Sequence, residues 1–318
     1  STPSAFSVEP FAGGRIDMIG FQVVQGDTVA DKTLSDFSHQ SSAQVLICAA
    51  QHGGEMVIPN GAFIPRPGDK LYMIGRKSEL QKMLRTIGHS VQKVREVSIL
   101  GGSRTAMYLV WELKKSGIKA RIVEMKHEKC LTLSAALPDT MIIEGDGTDN
   151  DLLRDEGVFE TDAFVSLTDR DEENLLMALT AQRAGVGKVL AKMTRPNYME
   201  LVQDTRIGSI ISPKNIVANQ ITRYVRALAN SEGSAVESLY KMLGGEVEAL
   251  EFTADASCRE LLNRPMKDLP LKQEVLVGAI ARGEEILIPG GMTRLQEGDH
   301  VVVVTKSIGA KNLRDILE

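Results

Sequence analysis

The chain has 318 residues, 43% hydrophobic and 25% charged, with a mean hydropathy of −0.08. At roughly 150 residues per domain this means about two domains, or three small ones, with too much apolar side chain for wholesale disorder. A net charge of −5 and a pI near 5.7 exclude a basic nucleic-acid face as the main business, and no apolar run approaches the ~18 residues that span a bilayer. Cys48, Cys130 and Cys258 are odd in number and far apart. They read as buried or reduced thiols of a cytosolic protein, without a disulfide framework.

Self-comparison shows a duplication. Under a shift of 230 residues, 45–69 meets 275–299 with ten identities in 25 positions, where chance gives about two. Among them are Gly53, Glu55, Ile58, Pro59, Gly61, Gly68 and Asp69, which meet Gly283, Glu285, Ile288, Pro289, Gly291, Gly298 and Asp299. Gly13-Gly14 meets Gly244-Gly245 one insertion away. Residues 1–85 and 236–318 therefore read as two copies of one small β-rich module with one or two helices. Repeated glycines at turns follow from backbone geometry and carry no catalytic meaning.

Between the copies, after a linker around Thr86–Arg95, residues 94–230 change rhythm. Short β-branched runs at Val97–Leu100, Ala120–Glu124, Thr140–Glu144, Ala163–Leu167 and Lys188–Lys192 alternate with amphipathic stretches. That is the pattern of a parallel sheet covered by helices. Ala106, Leu109, Val110 and Leu113 fall on one helical face, and Leu175, Leu176 and Leu179 predict another. A second linker lies around Asn230–Ala235. In the second module, Val247–Phe252 predicts a strand and Arg259–Leu269 a short helix. Val275–Ala281 and Glu285–Ile288 predict a hairpin turning at Arg282-Gly283, and His300–Thr305 a last strand.

The first strand of the α/β region runs into Gly101-Gly102-Ser103-Arg104-Thr105-Ala106, where a dinucleotide fold places G-x-G-x-x-G. That loop needs a tight turn, close approach of backbone to pyrophosphate, and a helix N-terminus facing the anion. Ser103 stands at the second glycine position, with its side chain expected where phosphate comes close, and Ala106 at the third. Glu124 ends the second strand, 23 residues after Gly101, where an acid accepts from a ribose diol and disfavours a 2′-phosphate. Arg104 is a candidate phosphate contact, and Lys192, ending the fifth strand, a second cation. Asp146-Gly147-Thr148 and Thr168-Asp169-Arg170 follow the third and fourth strands at the same sheet edge. Thr148-x-x-Asp151 reads as a capping box.

No P-loop is present, since Gly185-Val186-Gly187-Lys188 lacks both its spacing and its hydroxyl. No nucleophile elbow or H-E-x-x-H occurs, and residues 146–157 fail as a calcium loop at Asp151 and Gly157. His39, His52, His89, His127 and His300 lie at no ligand spacing. No catalytic constellation and no metal site is read.

In this order and spacing the chain resembles the regulatory domains of potassium transport known as RCK or KTN domains, and within them the TrkA family. The resemblance is carried by Ile99–Ala106, Ile122–Glu124, Glu144–Thr148, the stretch Ala163–Leu176, Val189–Lys192 and Ile211–Pro213. The flanking copies are similar to that family's smaller C-terminal module. The resemblance implies an α/β fold: a Rossmann-like parallel-sheet domain flanked by two homologous small α+β modules of the RCK C-terminal type. It also implies a non-enzymatic, cytoplasmic nucleotide-binding subunit, peripheral on the inner face of the membrane, that gates a potassium-uptake transporter or channel. The implied partners are a TrkH/TrkG-like potassium-conducting subunit, an adenine nucleotide and further copies in a homo-oligomer.

Position by position, the family's nucleotide contacts fall on Gly101, Gly102, Ser103, Arg104 and Thr105, on Glu124 and Met125, and on Asp146 and Gly147 at the adenine side. Thr168, Asp169 and Lys192 stand nearby. The family loop reads G-G-G-R-[IV]-G and carries arginine at the place of Lys192. These departures leave NAD or NADH, ATP and ADP as candidate ligands, or an emptied site. Family chains resemble two copies of α/β domain plus small module, and residue 1 aligns by repeat with residue 231. The chain is therefore expected to lack the first α/β domain. Two other readings stand beside the regulator: an NAD-dependent oxidoreductase, which would need a proton donor and substrate domain, and an oligomerisation module with a decayed nucleotide site.

Overall fold

The computed structural model describes residues 5–89, 93–195, 209–214, 216–218, 220–221, 225, 236–242, 246–306 and 309–318. The expected linker at Asn230–Ala235 and the glycine pair Gly244-Gly245 lie outside them. Two compact units result, one formed by Gln92–Val217 and the other by Ala5–Val91 together with Ala218–Glu318.

In the first module, β1 (Ala5–Phe11) and β2 (Ile16–Gln22) flank a turn in which Ala12, Gly13 and Gly14 all have positive φ. Helix α1 (Leu34–Gln40), strands β3 (Val45–His52), β4 (Glu55–Val57) and β5 (Lys70–Gly75), and helix α2 (Lys77–Ile87) follow. The sheet is antiparallel in the order β1-β2-β5-β3-β4. Leu80, Met83, Leu84 and Ile87 form the buried stripe of α2, and Gly88, at φ +114, ends it by donating to the carbonyls of Leu84 and Arg85. Thr86 and Ile87 thus belong to a helix, so the expected linker begins later.

The α/β unit starts with β6 (Glu96–Leu100), α3 (Arg104–Lys115), β7 (Lys119–Glu124), α4 (His127–Ala136) and β8 (Met141–Glu144). It continues with α5 (Asn150–Asp155), β9 (Ala163–Ser166), α6 (Asp171–Arg183), β10 (Lys188–Lys192) and β11 (Ser209–Ile211). All pairs are parallel, in the order β11-β10-β9-β6-β7-β8. This is the doubly wound order, whose direction of winding reverses between β6 and β9.

The second module repeats the first. Strands β12 (Val236–Lys241), β13 (Glu248–Thr253), β14 (Val275–Arg282), β15 (Glu285–Leu287) and β16 (His300–Thr305) take the order β12-β13-β16-β14-β15. Even the irregularities recur: register slips at Ala5/Ser7 and Val236/Ser238, and at Ile47/Ala49 and Val277/Ala279. The helix expected at Arg259–Leu269 is absent. Asn263 takes φ +60 and Pro265 has no N–H to donate, so the chain forms short 3-10 turns at Ala256–Cys258 and Met266–Asp268 instead.

The two modules share a core. Leu71 and Met73 of β5 face the first module's own interior, whereas Tyr72 and Ile74 face the second module. Val301 and Val303 of β16 face inward, and Val302 and Val304 meet the first module. A strand buried on both faces needs apolar side chains in both parities, which explains the run Val301–Val304. Ala249, Ala279 and Ala281 keep the second side of this seam low. At Gly278 a Cβ would come 3.3 Å from Ile74 Cγ2.

Helix α6 keeps only part of the expected leucine face, Leu175 and Leu179 packing against the core of the α/β unit. Leu176 is 61% exposed, while the buried side includes Asp171 and Asn174 with Met177, Ala178 and Ala181. Asn174 Oδ1 accepts from Ser166 Oγ (2.8 Å), Thr168 N (2.9 Å) and Thr168 Oγ1 (2.8 Å). Its Nδ2 donates to the carbonyls of Thr168 (3.1 Å) and Lys192 (3.0 Å). Asp171 accepts from the N–H groups of Thr194 and Arg195. Two polar side chains thus bind the ends of β9 and β10, giving backbone groups at the sheet edge the partners they need.

Two outcomes follow from this packing. Asn174→Ala leaves several buried donors and acceptors unpaired and should cost the α/β unit about 3 kcal/mol, read from its urea or thermal transition. Cys48, Cys130 and Cys258 are free and buried, and burial pushes the Cys48 thiol up to about 12. Native chain at pH 8 should show almost no reaction with a thiol reagent, and all three cysteines should react once it is unfolded in urea.

Candidate functional site

A cavity of about 490 Å³ opens at the carboxyl ends of β6, β7, β8 and β9. Open parallel sheets expose backbone N–H groups and helix N-termini there. Gly101 leaves β6 at φ +99, and a Cβ would stand 3.0 Å from Thr168 N, so both conformation and space require glycine. At Gly102 a Cβ would lie 2.5 Å from Leu133 Cδ1 and 2.9 Å from Glu124 Oε2. That second glycine exists to let a carboxylate approach the turn.

Glu124, 7% exposed at the end of β7, takes that space. Its Oε2 accepts from Gly102 N at 2.8 Å and its Oε1 from Lys126 N at 2.9 Å. Each oxygen keeps a second lone pair for a ligand hydroxyl. Lys129 Nζ, 3.8 Å from Oε2, adds a cation to the same wall.

Ser103 lines the cavity and has a structural part as well. At φ −78 its backbone needs no glycine, and it is the N-cap of α3, with its hydroxyl oxygen accepting from Ala106 N at 3.2 Å. The side chain folds back on its own helix because an N-terminal turn holds unsatisfied N–H groups. On the opposite wall, Asp146 Oδ1 accepts from Thr148 N (2.9 Å) and Thr148 Oγ1 (2.8 Å). The backbone bond above all holds its carboxyl below the usual range. Thr148 therefore serves Asp146, and the N-cap of α5 is Asp149, accepting from Asp151 N and Leu152 N, so the expected Thr148 capping box is replaced.

Of the twelve residues singled out in the sequence, nine line the cavity: Gly101, Gly102, Ser103, Glu124, Met125, Asp146, Gly147, Thr168 and Asp169. Arg104 and Thr105 sit exposed on the first turn of α3, off the cavity wall. Lys192 is also off the wall, its Nζ 3.4 Å from Asp169 Oδ1 at the end of the neighbouring strand. Lys129 and Arg170 line the cavity without having been singled out. Lys129 lies in the first turn of α4, whose N-cap is Lys126, so two cations stand at that helix start. Arg170, paired with Glu173, has no signal in the sequence.

The TrkA-N domain family matches residues 97–213, and the TrkA-C domain family matches twice, at 18–88 and 249–318. A Trk system potassium uptake protein TrkA homolog of Archaeoglobus fulgidus is 29% identical over 309 residues, covering 96% of this chain and 66% of its own. TrkA homolog 1 of Methanosarcina mazei is 26% identical over 314 residues (98% and 68%), and the TrkA protein of Halomonas elongata 27% over 317 residues (99% and 67%). The chain thus spans about two thirds of the length of these relatives.

Among solved structures, the GsuK channel superposes with a TM-score of 0.52 at 17% identity, over 96% of this chain and 54% of that one. The GsuK channel bound to NAD gives 0.50 at 16%, over 96% and 53%. At such identities the likeness is one of fold, a doubly wound parallel sheet with antiparallel modules. The chain thus carries one TrkA-N domain between two TrkA-C domains and is similar to TrkA proteins along nearly its whole length.

Proposed function

We propose that the chain is the nucleotide-sensing part of a potassium-uptake regulator, cytoplasmic and without catalytic activity. A nucleotide in the cavity biases one conformation, and an oligomer passes that bias to a potassium-conducting membrane subunit. The observation that carries this reading is the cavity floor, where Gly101 and Gly102 bring backbone against Glu124 at the switch point of a doubly wound sheet. The relatives' names as potassium uptake proteins support the partner, and the NAD of a same-fold channel supports the ligand. Among the described residues, no helix is long and apolar enough to cross a membrane.

The residues fit an adenine nucleotide by their chemistry. Glu124 has acceptors for ribose hydroxyls, and Asp146 and Gly147 border the adenine side. The Gly101–Ser103 turn, with Lys126, Lys129 and Arg170, offers donors and positive charge to phosphate oxygens. A carboxylate as buried as that of Glu124 disfavours a 2′-phosphate, which selects NAD, NADH, ATP or ADP over NADP. The ligand shifts the equilibrium only by its differential affinity for the two states; a tenfold difference per site is about 1.4 kcal/mol.

Thermal shift of the full chain with NAD, NADH, ATP, ADP and AMP tests the reading. A true ligand at a hundred times its dissociation constant should stabilise the chain by about 2.7 kcal/mol. Gly102→Ala should abolish the shift, since its Cβ would collide with Leu133 and displace the Glu124 carboxylate. Ser103→Gly should keep affinity within a few-fold, a cap replaced by glycine losing only a few tenths of a kcal/mol. Absence of any shift at millimolar concentrations of all five nucleotides would refute the proposal.

A further inference from the structure

In the other unit, three side chains bearing metal-binding atoms meet on one face of the second module's sheet. Glu237 comes from β12, Glu251 from β13 and His300 from β16, which are neighbouring strands. His300 Nδ1 lies 2.9 Å from Glu237 Oε2 and 3.4 Å from Glu251 Oε1, and the three ligand atoms all fall within 4.8 Å of one another. Two metal–ligand bonds of zinc length at the tetrahedral angle place their donor atoms about 3.3 Å apart. The two distances from Nδ1 bracket that value.

The group is held in place before any ion arrives. Glu251 is 3% exposed and its Oε1 accepts from Ala12 N of the first module at 3.1 Å, across the seam. Glu237 accepts from the Thr253 hydroxyl through Oε1, which leaves Oε2 toward His300. Glu237 is also the exposed member, so a further coordination position is open to water.

The duplication supplies an internal control. Glu251 pairs with Val302 as Gly20 pairs with Tyr72, and His300 pairs with Thr253 as Lys70 pairs with Gln22. The first module builds the same sheet with glycine and lysine at these places, so the fold itself does not call for a carboxylate and an imidazole. A buried carboxylate is costly unless something positive answers it.

We propose that Glu237, Glu251 and His300 form a divalent-cation site of the zinc class, tying the edge strand β12 to the seam between the two small modules. One imidazole nitrogen and two carboxylate oxygens suit zinc and its transition-metal neighbours better than magnesium or calcium, which favour all-oxygen sites. A protonated imidazole bridging the two carboxylates would give similar distances without a metal, and metal uptake tells the two apart.

The full chain, stripped with EDTA and dialysed, is titrated calorimetrically with Zn²⁺ and separately with Mg²⁺. The expected result is one equivalent of Zn²⁺ bound at micromolar concentration, Mg²⁺ at least a hundredfold weaker, and a thermal transition raised by zinc. His300→Ala should abolish that equivalent and the zinc-dependent shift. Glu237→Gln, a change at an exposed side chain, should weaken zinc at least tenfold with an unchanged circular dichroism spectrum; it decides the matter should His300→Ala fail to fold. No zinc uptake by the wild-type chain, or equal uptake by wild type and the Glu237→Gln variant, would overturn the site.

Discussion

Glu124 joins two strand-to-helix turns, its Oε2 accepting from Gly102 N after β6 and its Oε1 from Lys126 N after β7. A carboxylate so buried needs such donors, and in return it fixes the distance between the Gly101–Ser103 turn and the start of α4. Those two turns form one side of the cavity, so this side chain fixes that side, while the segments after β8 and β9 form the rest. The requirement propagates outward: Gly102 must be glycine because the carboxylate occupies the space of a Cβ, and Leu133 closes the same space from α4.

A second layer of polar ties stands behind the cavity wall. Asn174 and Asp171, on the buried side of α6, take up backbone groups after β9 and at and after β10. Thr168, on the cavity wall, is held through Asn174, which in turn is held by Lys192 O on the next strand. Fully satisfied networks of this kind make a sheet edge rigid, which is what a site needs if it is to tell one nucleotide state from another.

Duplication has kept the backbone of the small modules and varied the chemistry laid on it. Asp69 and Asp299 occupy the same turn before the last strand, but His52 meets Asp69 at 2.9 Å while Arg282 meets Asp299 through two nitrogens, each at 2.8 Å. The arginine clasp is a bidentate, permanently charged pair, whereas a histidine carries charge only when protonated. The first copy closes with helix α2 and the second with a short 3-10 turn at Leu313–Ile316. What the copies share is the seam, where each sheet turns one parity of its strands toward the other.

The amino-acid order alone determined the duplicated modules, five of the six strands of the α/β sheet, and the Gly101–Gly102 turn with Glu124 behind it, because period-two runs, turn glycines and strand-end acids are local signals. Leu176 misled, since a leucine at helical spacing reads as core, whereas Asp171 and Asn174 take the buried side through hydrogen bonds to strand ends distant in sequence. The capping part of Ser103 was not legible for a related reason: set against a glycine pattern the residue reads as a substitution, and only the helix it caps shows where its oxygen goes. Lys129 and Arg170 on the cavity wall, and the meeting of His300 with Glu237 and Glu251, were decided only by tertiary structure. Those residues are brought together by sheet order and helix packing, and no spacing along a chain encodes a contact between strands 49 to 63 residues apart.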